Sequence, residues 1–173
     1  MLFRSHRIIV VDDDPGNRTL CRQVVEPEGI VCDEAADGIQ ALTLMASGIY
    51  DLVLLDIDMP KMQGTEVLRR LRENPPGPHL KVIMLSGRAS EDEMALLMRT
   101  GADDYLSKPF SLVQLRERVK AALRLKVAQE RSDLLNRNLL TVNHQQEQGL
   151  LARDSDLIQA RNALVLALAE MVG

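Results

Sequence analysis

Residues 51–64 read Asp-Leu-Val-Leu-Leu-Asp-Ile-Asp-Met-Pro-Lys-Met-Gln-Gly. The opening run is short, rich in β-favouring residues and apolar at consecutive positions, so it predicts a strand rather than a helix. A strand apolar on both sides is covered on both faces, the situation of strands inside a parallel sheet. Asp56 then stands at the carboxyl end of that strand, where open α/β sheets place their sites.

Comparable runs lie on either side. Arg7 to Val11, Ile30 to Glu34, Lys81 to Leu85 and Asp104 to Leu106 carry strand patterns, while Asn17 to Val25, Gly38 to Ala46, Thr65 to Arg72, Glu91 to Thr100 and Leu112 onward carry helical ones. Strand and helix alternate five times. That order predicts an α/β fold, a flavodoxin-like, doubly wound, five-stranded parallel sheet with right-handed crossovers. Asn74-Pro75-Pro76-Gly77-Pro78 cannot continue a helix and marks a surface loop before the fourth strand.

The polar residues at the strand ends form a set. Asp12, Asp13 and Asp14 end the first strand and Asp56 the third; Ser86 and Gly87 end the fourth, and Lys108 follows the fifth. Clustered carboxylates repel one another and call for a cation. Oxygen donors without His or Cys favour a hard divalent ion such as Mg2+. A hydroxyl and an ammonium facing an aspartate are what a transferred phosphoryl group needs, which makes Asp56 the candidate nucleophile. Asp14, before Pro15, reads as a helix cap.

With these residues in place, the sequence resembles the response-regulator receiver family. The resemblance rests on Val-Val-Asp-Asp-Asp-Pro at 10–15, the 51–64 stretch, Val-Ile-Met-Leu-Ser-Gly at 82–87 and Gly-Ala-Asp-Asp-Tyr-Leu-Ser-Lys-Pro-Phe at 101–110. It implies that Asp56 accepts a phosphoryl group from a sensor histidine kinase. Asp13 would be a direct Mg2+ ligand, Asp12 would act mainly through water, and Asp58 would offer its backbone carbonyl. Lys108 would contact the phosphoryl group, with Ser86 as switch hydroxyl and Tyr105 as switch aromatic, and a cis bond is expected before Pro109. The family usually has Thr-Ala where Ser86-Gly87 stands, so the switch loop here is less constrained. Asp58 and Arg88 are expected to flank the site and to pair across its mouth.

Beyond the receiver, assigned to residues 1–125, residues 126–173 read as one continuous helix. Ala121, Ala128, Leu135 and Val142 recur every seven residues, and after an eight-residue step Leu150, Leu157, Leu164 and Met171 do so again. This is a coiled-coil signature with a skip near residues 145–149, and it predicts a parallel homodimer. The competing expectation is an amphipathic helix folded back on the domain. His144 lacks the acidic residue and proline that follow a kinase phosphoacceptor. Residues 159–173 are similar to the helix that opens HD-GYP cyclic-di-GMP phosphodiesterase domains, which implies an output domain outside this chain. A stand-alone adaptor, acting by protein–protein contact alone, is the rival reading.

Composition narrows the classes further. Lys and Arg number 21 against 25 Asp and Glu, without a basic stripe, and there is no Trp. Neither an electrostatic footprint for nucleic acid nor a stacking platform for bases is present. The chain has no apolar stretch of membrane-spanning length, and Met1 to Arg7 does not resemble a signal peptide, so a cytoplasmic location is expected. Cys21 and Cys32 read as buried thiols, and the three isolated His residues suggest no metal site.

Overall fold

The computed structural model describes residues 5–172; the basic start, residues 1–4, and Gly173 lie outside them. Five strands alternate with helices: β1 (Arg7–Val11), α1 (Pro15–Val25), β2 (Val31–Ala35), α2 (Gly38–Ser47), β3 (Leu52–Asp56), α3 (Gly64–Glu73), β4 (Lys81–Ser86), α4 (Glu91–Thr100), β5 (Asp104–Ser107) and α5 (Leu112–Val172). All pairings are parallel in the order β2-β1-β3-β4-β5. The predicted α/β class and topology are therefore present.

Strand pleating explains why the strands look apolar throughout. Ile8, Val10, Leu52, Leu54, Ile83 and Leu85 point to one face, where they pack with Cys21, Val24, Leu115, Val119 and Leu123 of α1 and α5. Their neighbours Ile9, Val11, Val53, Leu55, Val82 and Met84 point to the other, against Met45, Val67, Leu68 and Leu97 of α2, α3 and α4. Both cysteines are buried, and burial pushes each thiol up to about 12.

Local chemistry sets the helix starts. Asp14 accepts a hydrogen bond from the Gly16 amide, with Pro15 in the first turn, so α1 begins before the apolar periodicity does. Asp37 caps α2 through the Gln40 amide. Ser90 and Glu93 form a reciprocal capping box on α4, whose far end closes on Gly101 at φ 115. Leu112, the first residue of α5, is exposed and precedes the buried stripe that starts at Leu115.

The chain divides into two compact units, residues 1–130 and 131–173. The second is wholly helical among its described residues, belonging to α5, a single 61-residue helix that continues through Gly149. Its apolar side chains, including Leu135, Val142, Leu150, Leu157, Leu164 and Met171, are exposed. No helix among the described residues is long and apolar enough to cross a membrane.

Candidate functional site

The carboxyl ends of β1 and β3 are adjacent in the sheet, and this juxtaposition brings the acids together. Asp56, the last residue of β3, is 4% exposed, and Asp12, which follows β1, is 1% exposed, whereas Asp13 is open to solvent. Carboxylate oxygens of Asp12, Asp13 and Asp56 all lie within 4.8 Å of one another. Asp12 is held by its surroundings: Oδ1 accepts from the Asp14 amide at 2.9 Å and from Asn17 Nδ2 at 3.3 Å. Its backbone carbonyl accepts from Arg18 Nη1 at 2.7 Å. Asn17 and Arg18 were not expected in the site; they lie on the first turn of α1, and only their contacts give them a role.

Lys108 reaches the same cluster from the loop after β5. Its Nζ donates to Asp12 Oδ2 at 2.8 Å and to Asp56 Oδ1 at 2.9 Å. Its backbone amide donates to the Ser86 carbonyl at 2.6 Å, and the Lys108–Pro109 bond is cis as expected. Burial pushes the Asp56 carboxyl upward, Lys108 pulls it down, and the charges of Asp12 and Asp13 push it up again, leaving it above the ordinary range. Burial alone would lower the Lys108 ammonium, but its bonds to Asp12 and Asp56 outweigh that and raise it.

Gly64 is a structural requirement of the site. A Cβ there would stand 2.1 Å from the Asp56 carbonyl oxygen, and the Gly64 amide donates to the Ile57 carbonyl at 2.9 Å. The tight return of the chain onto β3 keeps the Asp56–Asp58 turn in place.

Ser86 is buried, and its Oγ accepts from the Ala89 amide at 2.8 Å and the Arg88 amide at 3.3 Å. Tyr105, on the neighbouring strand, is 39% exposed. Asp58 and Arg88 line one cleft of about 690 Å³ between α3 and α4, together with Ser86, Glu93 and Leu97. They make no ion pair with each other, so the expected pairing across the mouth is not formed in this state. The Asp58 side chain also stands outside the three-carboxylate cluster.

Three carboxylates against one ammonium leave the site with excess negative charge. The donor set is all oxygen, which fits a hard divalent cation and not a soft one. Such an edge, with a buried serine and a lysine beside it on a parallel sheet, defines the receiver of a two-component response regulator. The chain belongs to that family: the response regulator receiver domain model matches residues 8–120.

The chain is 42% identical over 118 residues to response regulator MprA of Mycobacterium sp. (strain KMS), covering 68% of this chain and 50% of that protein. Response regulator MprA of Mycobacterium ulcerans is also 42% identical, over 120 residues, covering 69% and 51%. The chain thus spans about half the length of the curated relatives it matches. Among solved structures, a CheY-like receiver domain protein from Methanospirillum hungatei JF-1 superposes with a TM-score of 0.69 at 32% identity, covering 73% of this chain and 99% of that one. NtrX from Brucella abortus, solved in complex with ADP, gives a TM-score of 0.68 at 30% identity, covering 76% of this chain and 30% of that one. Receiver domains of this family bind Mg2+ at an acidic site and interact with histidine kinases.

Proposed function

We propose that this receiver accepts a phosphoryl group on Asp56 from a sensor histidine kinase and relays the change through a dimeric C-terminal helix. The observation that carries the reading is the position of Lys108 Nζ, hydrogen-bonded to Asp12 and Asp56 at once. In this reading an Asp56 carboxylate oxygen attacks the phosphorus of a phosphohistidine. The P–N bond breaks, the imidazole leaves with its electron pair, and an aspartyl phosphate remains. Lys108 neutralises charge on the phosphoryl oxygens as they approach.

Asp12, Asp13 and Asp56, with the Asp58 backbone carbonyl, would hold Mg2+. Bound there, the ion supplies charge neutralisation and orientation of phosphoryl oxygens. The side chains contribute separately: buried Asp12 is fixed by Asn17 and the Asp14 amide, while Asp13 faces solvent and is free to exchange water for a ligand.

Phosphorylation adds up to two charges and three acceptor oxygens beside Ser86. Ser86 then exchanges its bonds from the loop amides for one to the phosphoryl group, and Tyr105 turns inward. The balance between two loop arrangements shifts, with a typical coupling of about 1 to 3 kcal/mol. The exposed heptads of α5 pair with those of a second copy, and the output is a further domain, of the HD-GYP phosphodiesterase kind suggested by residues 159–173. A cytoplasmic setting fits the kinase partner.

The test is the intact mass after incubation with acetyl phosphate and Mg2+, for the native chain and for Asp56→Asn, with light-scattering chromatography of both. A gain of one phosphoryl group in the native chain alone supports the reading. No gain in the native chain overturns it and leaves an interaction module that works without phosphorylation.

A further inference from the structure

At the opposite end of the sheet from Asp56, two lysines are buried, Lys81 at 4% exposed and Lys126 at 3%. Neither belongs to the phosphorylation machinery. The core-facing stripe of α5 runs through Leu115, Val119, Ala122 and Leu123, and the same face next presents Lys126 and the half-buried Gln129. The stripe turns polar where the helix passes the base of the sheet. Burying an ammonium is costly unless it is paired, so its surroundings should explain it.

They do so with partners from α5 itself and from the loops that precede β3, β4 and β5. Lys126 Nζ donates to the Pro78 carbonyl at 3.0 Å, pairs with Glu130 Oε1 at 2.8 Å and lies 3.5 Å from Asp51 Oδ1. Asp51 in turn accepts from the Arg7 amide at 2.8 Å, with His6 Nδ1 at 3.5 Å. Lys81 Nζ donates to Gln129 Oε1 and lies 3.5 Å from Asp103 Oδ1. Asp103 is itself fixed by the Val82 amide and by Arg72 Nη2, each at 2.8 Å. Arg72 also donates to the carbonyls of Gly101 and Leu80. Every charge in the cluster is tied to backbone or to a residue so tied.

We propose that this cluster anchors the C-terminal arm: Lys126 and Gln129 are positioning residues that keep α5 fixed to the receiver as far as Glu130. Asp51 and Asp103, each anchored on a backbone amide, the Pro78 carbonyl, and Lys81 beside Asp103 hold a helical segment whose own apolar grip ends at Leu123. The compact unit that closes at residue 130 has the extent expected of such an anchor. Any rotation of α5 at the receiver is then carried to residue 130 instead of being lost in a frayed turn. The anchor goes beyond the phosphorylation reading and does not depend on it.

Hydrogen exchange on the full chain, without phosphoryl donor, tests it. Lys126→Met and Gln129→Ala should each speed amide exchange across 124–130 by tenfold or more, with exchange around 52–58 unchanged. Because Lys126→Met takes the ammonium away from buried Asp51 and could fail to fold, the double change Asp51→Asn with Lys126→Met, which removes both charges of that pair, is the decisive variant. It should melt close to the native chain yet still exchange fast at 124–130, a separation a merely stabilising cluster would not produce. Native-like exchange at 124–130 in both the double variant and Gln129→Ala overturns the proposal. Phosphoryl uptake within twofold of native in these variants would show that the far edge is intact, so a failure of the phosphorylation reading is told apart from a failure of the anchor.

Discussion

Lys108 Nζ stands 2.9 Å from Asp56 Oδ1, although Asp56 ends β3, Lys108 follows β5 with β4 between those strands, and the two residues are 52 positions apart in the chain. Removing that ammonium should slow formation of the aspartyl phosphate from acetyl phosphate by about 100-fold, the usual effect of losing one oriented charge-stabilising donor. Lys108→Ala, followed by intact mass against time at saturating Mg2+, measures it. A rate within threefold of native would remove Lys108 from the chemistry.

The acidic cluster should cost stability when no cation is bound. Because the Asp56 carboxyl is raised above 3.8, the folded state holds its proton more tightly than the unfolded state does, and its ionised form is a penalty fully present above the folded value. Asp56→Asn should therefore stabilise the metal-free chain near neutral pH by on the order of 1 kcal/mol. The advantage should shrink as pH falls through the Asp56 range and vanish below 3.8. Urea melts of both chains in chelator between neutral pH and the acid limit of folding check the sign. A gap that widens on acidification would contradict it.

Ser86 Oγ holds the β4–α4 loop by accepting from two amides, so Ser86→Ala should cost about 1 to 2 kcal/mol while leaving phosphoryl uptake measurable. Tyr105 reports the switch directly, because Tyr50 is buried and Tyr105 is not. Nitration of Tyr105, located by peptide mass, should drop on phosphorylation of the native chain and stay unchanged in Ser86→Ala. An equal drop in both chains would mean that Ser86 does not couple the site to the tyrosine.

A parallel, in-register pair of α5 helices places Leu164 opposite the partner subunit's Leu164, and Asp156 within reach of the partner subunit's Arg161. Leu164→Cys should then form an intermolecular disulfide under mild oxidation, while Ser155→Cys, on the far side of the helix, should not. The native thiols are buried and need not be removed. Crosslinking at both positions, or at neither, would argue against the parallel register.

Much of this was legible in the sequence because it is written locally. A continuous apolar run ending in Asp56, a Ser-Gly after the fourth run and a Lys-Pro after the fifth each announce a strand and its functional end within ten residues. Heptad spacing in the last helix is equally local, since it depends only on 3.6 residues per turn. The tertiary structure alone decided which groups meet. It placed Lys108 between Asp12 and Asp56, gave Asn17 and Arg18 the task of holding Asp12, and made Gly64 necessary through the approach of the Asp56 carbonyl. It also left Asp58 and Arg88 unpaired and buried Lys126 against Pro78 and Asp51. A side chain's periodicity is set by its neighbours in the chain, whereas its hydrogen-bond partners are set by strand order and helix packing, which bring distant residues within 3 Å of one another.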